Sequence, residues 1–321
     1  MQLIYGLHNA CRYLPASGCA LTIGNFDGVH LGHQTILRRL RQQADKQGLL
    51  MAILLFEPQP SEYFMGEQAP ARLMRLRDKL HYLAQNGVDK VIVAKFDHNL
   101  SQLSAEQFII EILVKKLKVR FLSIGDDFRF GSNRIGDFTM LCQAGEQWGF
   151  SVEDNHSFCL NERRISSTAI RQALANDDLY LAENLLGRPY RIFGRVIHGN
   201  KLGRTIGFPT ANIRLHRQVN PVKGVYAVKV RLISDNIFNG VANIGKRPTI
   251  NGSLQLLETH LFDFQDDLYG QFVEIEFCHK IRNEHKFNSL DELQRQIQKD
   301  IEIAKEYFVS SKTSASQAIE F

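Results

Sequence analysis

Two rhythms and one break in the sequence predict an α/β domain with a mostly parallel sheet, followed by a small antiparallel β-barrel closed by a C-terminal helix. From residue 20 to 186, apolar runs of strand length alternate with helical patterns. From 187 onward, apolar and polar side chains alternate at period two between Gly-rich turns. Gly187-Arg188-Pro189 punctuates the change and sets two domains, 1–186 and 187–321.

The elements follow in order. Residues 20–24 are an apolar run, 31–47 a helical pattern and 49–56 a second apolar run, which reads β-α-β. Helix-like 71–86, strand-like 91–95, helix-like 104–115 and strand-like 119–124 continue the alternation. A sheet of this kind gathers ligands beyond the carboxyl ends of its strands. In the second domain, Tyr226, Val228, Val230 and Leu232 fall on one face of a strand, with Lys229 and Arg231 on the other. Val273, Ile275 and Phe277 alternate with Glu274 and Glu276, so half-buried antiparallel strands are expected. Leu290, Leu293, Ile297, Ile301 and Ala304 share one stripe of a final helix, and the polar tail from Ser310 is expected to fray.

Composition narrows the function class. The 321-residue chain has a net charge of +5, with 20 basic and 20 acidic residues in 1–185 and 19 against 14 thereafter. The basic second part suits nucleic acid or a polyphosphate ligand, and charge alone leaves both open. The longest apolar run, 49–56, is far below the roughly 20 residues that cross a bilayer. His8, Asn9 and Arg12 interrupt the N-terminal segment, which does not read as a signal peptide, so a cytoplasmic protein is expected. Five cysteines without a C-x-x-C pair argue against a disulfide framework or thiolate zinc site; reduced, mostly buried thiols are expected.

Neither G-x-G-x-x-G nor a Walker motif is present, so other segments carry the chemistry. Thr22-Ile23-Gly24-Asn25-Phe26-Asp27-Gly28-Val29-His30-Leu31-Gly32-His33 leaves a strand, makes a Gly-rich turn and enters a helix with two histidines three residues apart. Free N–H groups and partial positive charge at that helix start, with imidazole donors beside them, suit phosphate oxygens, and Gly32 is expected to keep the surface between the rings open. Asp127 and Arg129 follow the strand 119–124. Ser166-Ser167-Thr168 can cap a helix starting near Ala169, with Arg164 and Arg171 supplying charge.

The His30-Leu31-Gly32-His33 string resembles the H-x-G-H signature of nucleotidylyltransferases. Gly125-Asp126-Asp127-Phe128-Arg129-Phe130-Gly131 and Arg164-Ile165-Ser166-Ser167-Thr168-Ala169-Ile170-Arg171 are similar to flavin-adenylylating members of that superfamily. The resemblance implies a Rossmann-like fold and attack by an acceptor phosphate on the α-phosphorus of ATP. It assigns His30, His33, Ser167, Thr168 and Arg171 to the triphosphate, with Asn25, Asp127 and Arg164 contributing to binding. Leu31 stands where many members carry a basic residue, and Asp127 where some carry an amide.

In the second domain, Gly194-Arg195-Val196-Ile197-His198-Gly199-Asn200-Lys201-Leu202-Gly203-Arg204-Thr205-Ile206-Gly207 suits a phosphate cradle, although barrels also use glycine at corners. Gly199, Lys201, Gly203 and Arg204 are its candidate phosphate contacts. Pro209-Thr210-Ala211-Asn212, Asn243-Ile244-Gly245-Lys246-Arg247-Pro248-Thr249 and Glu258-Thr259-His260 resemble riboflavin kinases. That resemblance implies Mg2+ held with ATP by the hard oxygens of Thr210 and Asn212, and Glu258 as catalytic base.

Taken together, the chain resembles the bifunctional riboflavin kinase and FMN adenylyltransferase family over about residues 3–308. The implied partners are riboflavin, FMN and ATP, with no nucleic acid or membrane. Two rival readings are a single-activity FMN adenylyltransferase whose barrel only binds flavin, and a nucleic-acid-binding barrel fused to a nucleotidylyltransferase. Thr210, Asn212 and Glu258 speak against the first. Tyr226 and Phe277, expected to face the core rather than stack bases, speak against the second.

Overall fold

A computed structural model describes the whole chain except residues 126, 156–158, 161–162, 200–205, 216–218, 250–251 and 318–321; for 159–160, 163, 246–249, 252–254 and 312–317 it describes the backbone alone. Two compact units form, Met1–Pro70 with Met74–Ser167, and Ala71–Leu73 with Thr168–Phe321.

The first unit is built on six strands: β1 (Gln2–Tyr5), β2 (Cys19–Ile23), β3 (Leu50–Glu57), β4 (Lys90–Lys95), β5 (Val119–Gly125) and β6 (Ser151–Asn155). They pair in parallel in the order β1-β4-β3-β2-β5-β6. Every residue of β2 is buried, as expected where helices cover both faces and the strand reads as a continuous apolar run. β2 neighbours β3 on one side and β5 on the other, so the chain order switches between β2 and β5. Such a switch leaves a crevice at the carboxyl ends of the two strands. The loops carrying Asn25–His30 and Asp127 both leave from there.

The helix Leu31–Gln47 buries Leu37, Leu40 and Ala44, the 3- and 4-residue spacing of one face. The helix expected over 71–86 starts at Leu76, because the Asp78 carboxylate accepts the Arg75 N–H at 3.3 Å and fixes the first turn there. The helix expected over 104–115 is capped by Ser104, whose Oγ accepts the Gln107 N–H at 3.0 Å, and it widens into a π-helical stretch over Phe108–Lys116. A two-stranded ribbon, β7 (Cys159–Leu160) with β8 (Arg163–Arg164), follows β6.

The second unit closes six antiparallel strands into a barrel: β9 (Arg191–Ile197), β10 (Ala211–Arg214), β11 (Gly224–Leu232), β12 (Ile237–Thr249), β13 (Gly252–Leu261) and β14 (Phe272–Arg282), in the order β10-β13-β12-β11-β14-β9. β11 is buried on both faces over most of its length, not on one as the alternation predicted. Tyr226, Val228 and Val230 fill one face, and on the other Val225 and Ala227 pack with Ile301, Ala304 and Phe308 of the helix Leu290–Gln317. Tyr226 and Phe277 are buried with ring centroids 5.3 Å apart, edge to face. Leu290, placed on the core stripe by periodicity, is 55% exposed at the helix start. The helix also runs on past Ser310, whose Oγ donates to the Glu306 carbonyl, instead of fraying there. Of the four cysteines whose side chains are described, Cys19 alone is fully buried; Cys11 is exposed, and Cys142 and Cys278 are half-buried.

Candidate active sites

In the first unit the site grows from the turn after β2. Phe26, Gly28 and Val29 take φ values of 45°, 88° and 39°. Left-handed backbone is uncommon for Phe and rarer still for a β-branched Val. This coiling delivers His30 to the N-cap of the helix Leu31–Gln47, where its Nδ1 accepts the His33 N–H at 3.3 Å. With Nδ1 accepting, the proton of the neutral ring sits on Nε2, a donor for an anion. The His33 ring stacks on His30 with centroids 3.6 Å apart and lies 4.8 Å from the Phe26 ring.

Gly32 does not leave an open surface, as the sequence suggested. A Cβ there would stand 3.2 Å from His30 Nδ1, tighter than an ordinary contact, and 3.5 Å from the Ile165 carbonyl oxygen, so it is the His30 ring that crowds the position. The Ser167 hydroxyl donates to the Asp27 carbonyl at 2.7 Å, and the buried Asp27 carboxylate accepts the Met74 N–H at 3.2 Å. Buried Lys79 donates to the Asn25 carbonyl, while the Asn25 side chain is exposed. Arg164 pairs with Asp127 at 2.9 Å, both more than half exposed, which makes a weak surface ion pair. The loops after β2 and β5 and the segment 164–167 therefore meet as the motifs required.

The helix expected near Ala169 begins at Ser167. Thr168, its second residue, is exposed and falls in the second unit with Arg171. Arg171 Nε donates to the Ala71 carbonyl at 2.5 Å, and the side chain lines a cavity of about 410 Å³ with Asp177, Lys223 and Lys280.

The second site is a wall rather than a turn. Residues directly opposite in antiparallel strands share a face. Asn212 on β10 faces Glu258 on β13, which faces Asn243 on β12, which faces Val225 on β11, which faces Arg282 on β14. All five line one cavity of about 260 Å³. Thr210 and His260 also line it, and His260 lies two residues along β13 from Glu258, hence on the same face. Asn212 is buried and its Nδ2 donates to the Thr210 carbonyl at 3.2 Å, so Oδ1 is the amide atom left to accept or coordinate. Gly199 is explained here: a Cβ would stand 2.4 Å from Asn212 Nδ2. Lys201, Gly203 and Arg204 lie outside the described residues. The cavity floor is braced by Arg282, whose Nε and Nη2 grip Asp300 of the C-terminal helix at 2.9 and 2.8 Å.

Comparison with known proteins gives two family matches, FAD synthetase over residues 14–169 and riboflavin kinase over 186–308. A bifunctional riboflavin kinase/FMN adenylyltransferase of Haemophilus influenzae is 72% identical over 310 residues, 97% of this chain and 100% of that protein. One of Escherichia coli is 54% identical over 312 residues, 97% and 99% of the two chains. The chain belongs to the bifunctional riboflavin kinase/FMN adenylyltransferase family. It carries both a FAD synthetase and a riboflavin kinase domain, enzymes that use ATP. A crystal structure described as a macrolide-efflux protein from Streptococcus pneumoniae has the same architecture, with a TM-score of 0.78, 28% identity, and coverage of 95% of this chain and 99% of that one. Among the described residues no helix is long and apolar enough to cross a membrane.

In this member of the riboflavin kinase/FMN adenylyltransferase family, sequence reasoning passed over Asn243 and His260 although both stood in the quoted motifs. Period-two alternation from Glu258 would have put His260 on the cavity face. Asp267 accepts the Tyr269 N–H at 2.8 Å and shapes a turn. The Arg282–Asp300 pair carries no local signal, because strand and helix meet 18 residues apart.

Proposed function

We propose that residues 187–321 phosphorylate riboflavin to FMN in the barrel cavity and that residues 1–186 adenylylate FMN to FAD at the turn after β2, with ATP in both steps. The observation that carries this reading is the cross-strand register that sets Glu258 opposite Asn212 in one cavity with Thr210. Glu258 takes the proton of the terminal ribityl hydroxyl as that oxygen attacks the γ-phosphorus and ADP leaves. Phe208, Phe287, Leu293 and Ile297 make the cavity's apolar side, which suits the isoalloxazine ring. Thr210 Oγ1 and Asn212 Oδ1 are hard donors that fit Mg2+, which when bound offsets phosphate charge. Among the described residues no group of three or more His, Cys, Asp or Glu side chains would hold a metal alone, which suits an ion arriving with ATP.

At the other site an oxygen of the FMN phosphate attacks the α-phosphorus and pyrophosphate leaves. No covalent intermediate is needed, and catalysis is positioning plus electrostatics. His30 through Nε2–H, His33, Ser167 and the helix start hold the triphosphate, with Asn25 and the Asp127–Arg164 pair contributing to binding. Gly199, Lys201, Gly203 and Arg204 serve the kinase phosphates. The enzyme works in the cytoplasm on small molecules and without nucleic acid or membrane.

The test is a time course with riboflavin, ATP and Mg2+, resolved by chromatography, beside reactions started from FMN. FMN is expected before FAD, with pyrophosphate released from FMN and ATP. FAD from FMN with nothing from riboflavin would reduce the barrel to a binding module.

A further inference from the structure

We propose that His260 is a positioning residue of the kinase, which clamps the Phe208-Pro209-Thr210 segment to β13 and so sets the phosphate-end donors Thr210 and Asn212 against Glu258. The inference rests on the kinase reading above. Its central observation is the 2.9 Å contact between His260 Nδ1 and the Pro209 carbonyl oxygen. A carbonyl only accepts, so Nδ1 carries the hydrogen, and it does so in both the neutral ring and the imidazolium.

The surroundings hold the ring in that pose. His260 meets Phe208 edge-on, with centroids 5.8 Å apart at 89°, and Phe262 at 6.0 Å and 63°. It leaves β13 on the same face as Glu258, two residues away, so clamp and proton acceptor share one rigid strand. Pro209 has no N–H, which leaves its carbonyl as the backbone handle at that residue. The next carbonyl, that of Thr210, is held by Asn212 Nδ2 at 3.2 Å. Two successive carbonyls of the segment are thus pinned by cavity-lining side chains, one on β13 and one on β10. A misplacement of about 1 Å is enough to slow a reaction that depends on alignment.

The experiment compares wild type with His260→Phe, which keeps the ring contacts and removes the donor, and His260→Asn, whose Nδ2–H takes the place of Nδ1–H. KM and kcat for riboflavin phosphorylation are measured against Mg-ATP and riboflavin, with adenylylation of supplied FMN by the same chain as the check on folding. His260→Phe is expected to raise KM for Mg-ATP about five- to tenfold and to leave KM for riboflavin within about twofold, and His260→Asn to restore KM for Mg-ATP to within about twofold of wild type. An unchanged KM for Mg-ATP in His260→Phe, or a His260→Asn variant as impaired as His260→Phe, overturns the inference. If His260→Phe loses adenylylation as well, His260→Gln decides, because its amide sits at the Nε2 position and cannot reach Pro209; wild-type KM for Mg-ATP there overturns the clamp. A wild-type chain that leaves riboflavin unphosphorylated overturns the kinase reading itself, whereas equal KM values in wild type and His260→Phe overturn the clamp alone.

Discussion

In the parallel-sheet unit the candidate site is a turn: ten consecutive residues, 24–33, coil through three left-handed backbone positions and end on a helix start capped by His30. In the barrel unit it is a wall: Asn212, Val225, Asn243, Glu258 and Arg282 come from five strands and meet because the register sets them side by side. The first site is specified by backbone conformation, the second by side chains on a rigid frame. Each therefore fails in its own way, and changes at one are expected to spare the other.

The largest separation is expected from Glu258→Ala. A positioned general base contributes about 100- to 10,000-fold, so FMN formation from riboflavin should fall at least about 100-fold. Adenylylation of supplied FMN should stay within about twofold. Kinase activity surviving within about tenfold of wild type would remove Glu258 from the role of base and make the wall a binding surface.

Asp300→Ala tests the frame rather than the chemistry. Asp300 is buried, and its loss leaves Arg282 without its bidentate partner and Gln296 without an acceptor. Breaking a buried pair from one side costs about 3 kcal/mol. In a thermal inactivation series the variant should lose riboflavin phosphorylation at a temperature where FMN adenylylation persists. Parallel loss of both activities would mean that the two sites are not braced independently.

His33→Ala probes the turn. Removing one group of a preorganised phosphate site should lower FAD formation from FMN at least about tenfold, with riboflavin phosphorylation unchanged. If FAD synthesis is unaffected, the stacked histidine pair is a structural cap and the triphosphate lies elsewhere.

The same contrast decides what the sequence could reveal. A turn-built site is contiguous, so residues 22–33 were legible as one string, and the β-α-β rhythm around it gave the sheet. A wall-built site is scattered, so Asn212 and Glu258 were legible only as separate motifs, and their opposition appears once β10 pairs with β13. β6 escaped because its residues Ser151-Val152-Glu153-Asp154-Asn155 make no apolar run. His30 as an N-cap was hidden because imidazole rarely fills a place that Ser, Thr, Asp or Asn usually takes. A side chain at Gly199 would collide with Asn212, a packing reason that no local pattern carries.

The smallest effect uses one shielded thiol in each unit as a reporter. Burial pushes the Cys19 thiol on β2 up to about 12. Burial, and then the Glu276 carboxylate, pushes Cys278 on β14 up to about 12 as well. Both folded thiols hold their protons over a range in which the unfolded ones, at 9.0, release theirs. Their contribution to stability is therefore complete below pH 9.0 and lost as pH rises toward 12. At about pH 8 a thiol reagent should modify exposed Cys11 in the native enzyme and spare Cys19 and Cys278, as peptide mass mapping would read. Cys278 packs in the cluster that holds Ile301 and Phe308. Asp300→Ala, which loosens that helix, should raise its labelling rate while Cys19 keeps its protection. Equal gains at the two thiols would show the sheet and the barrel opening together, and the independence argued from their construction would fall.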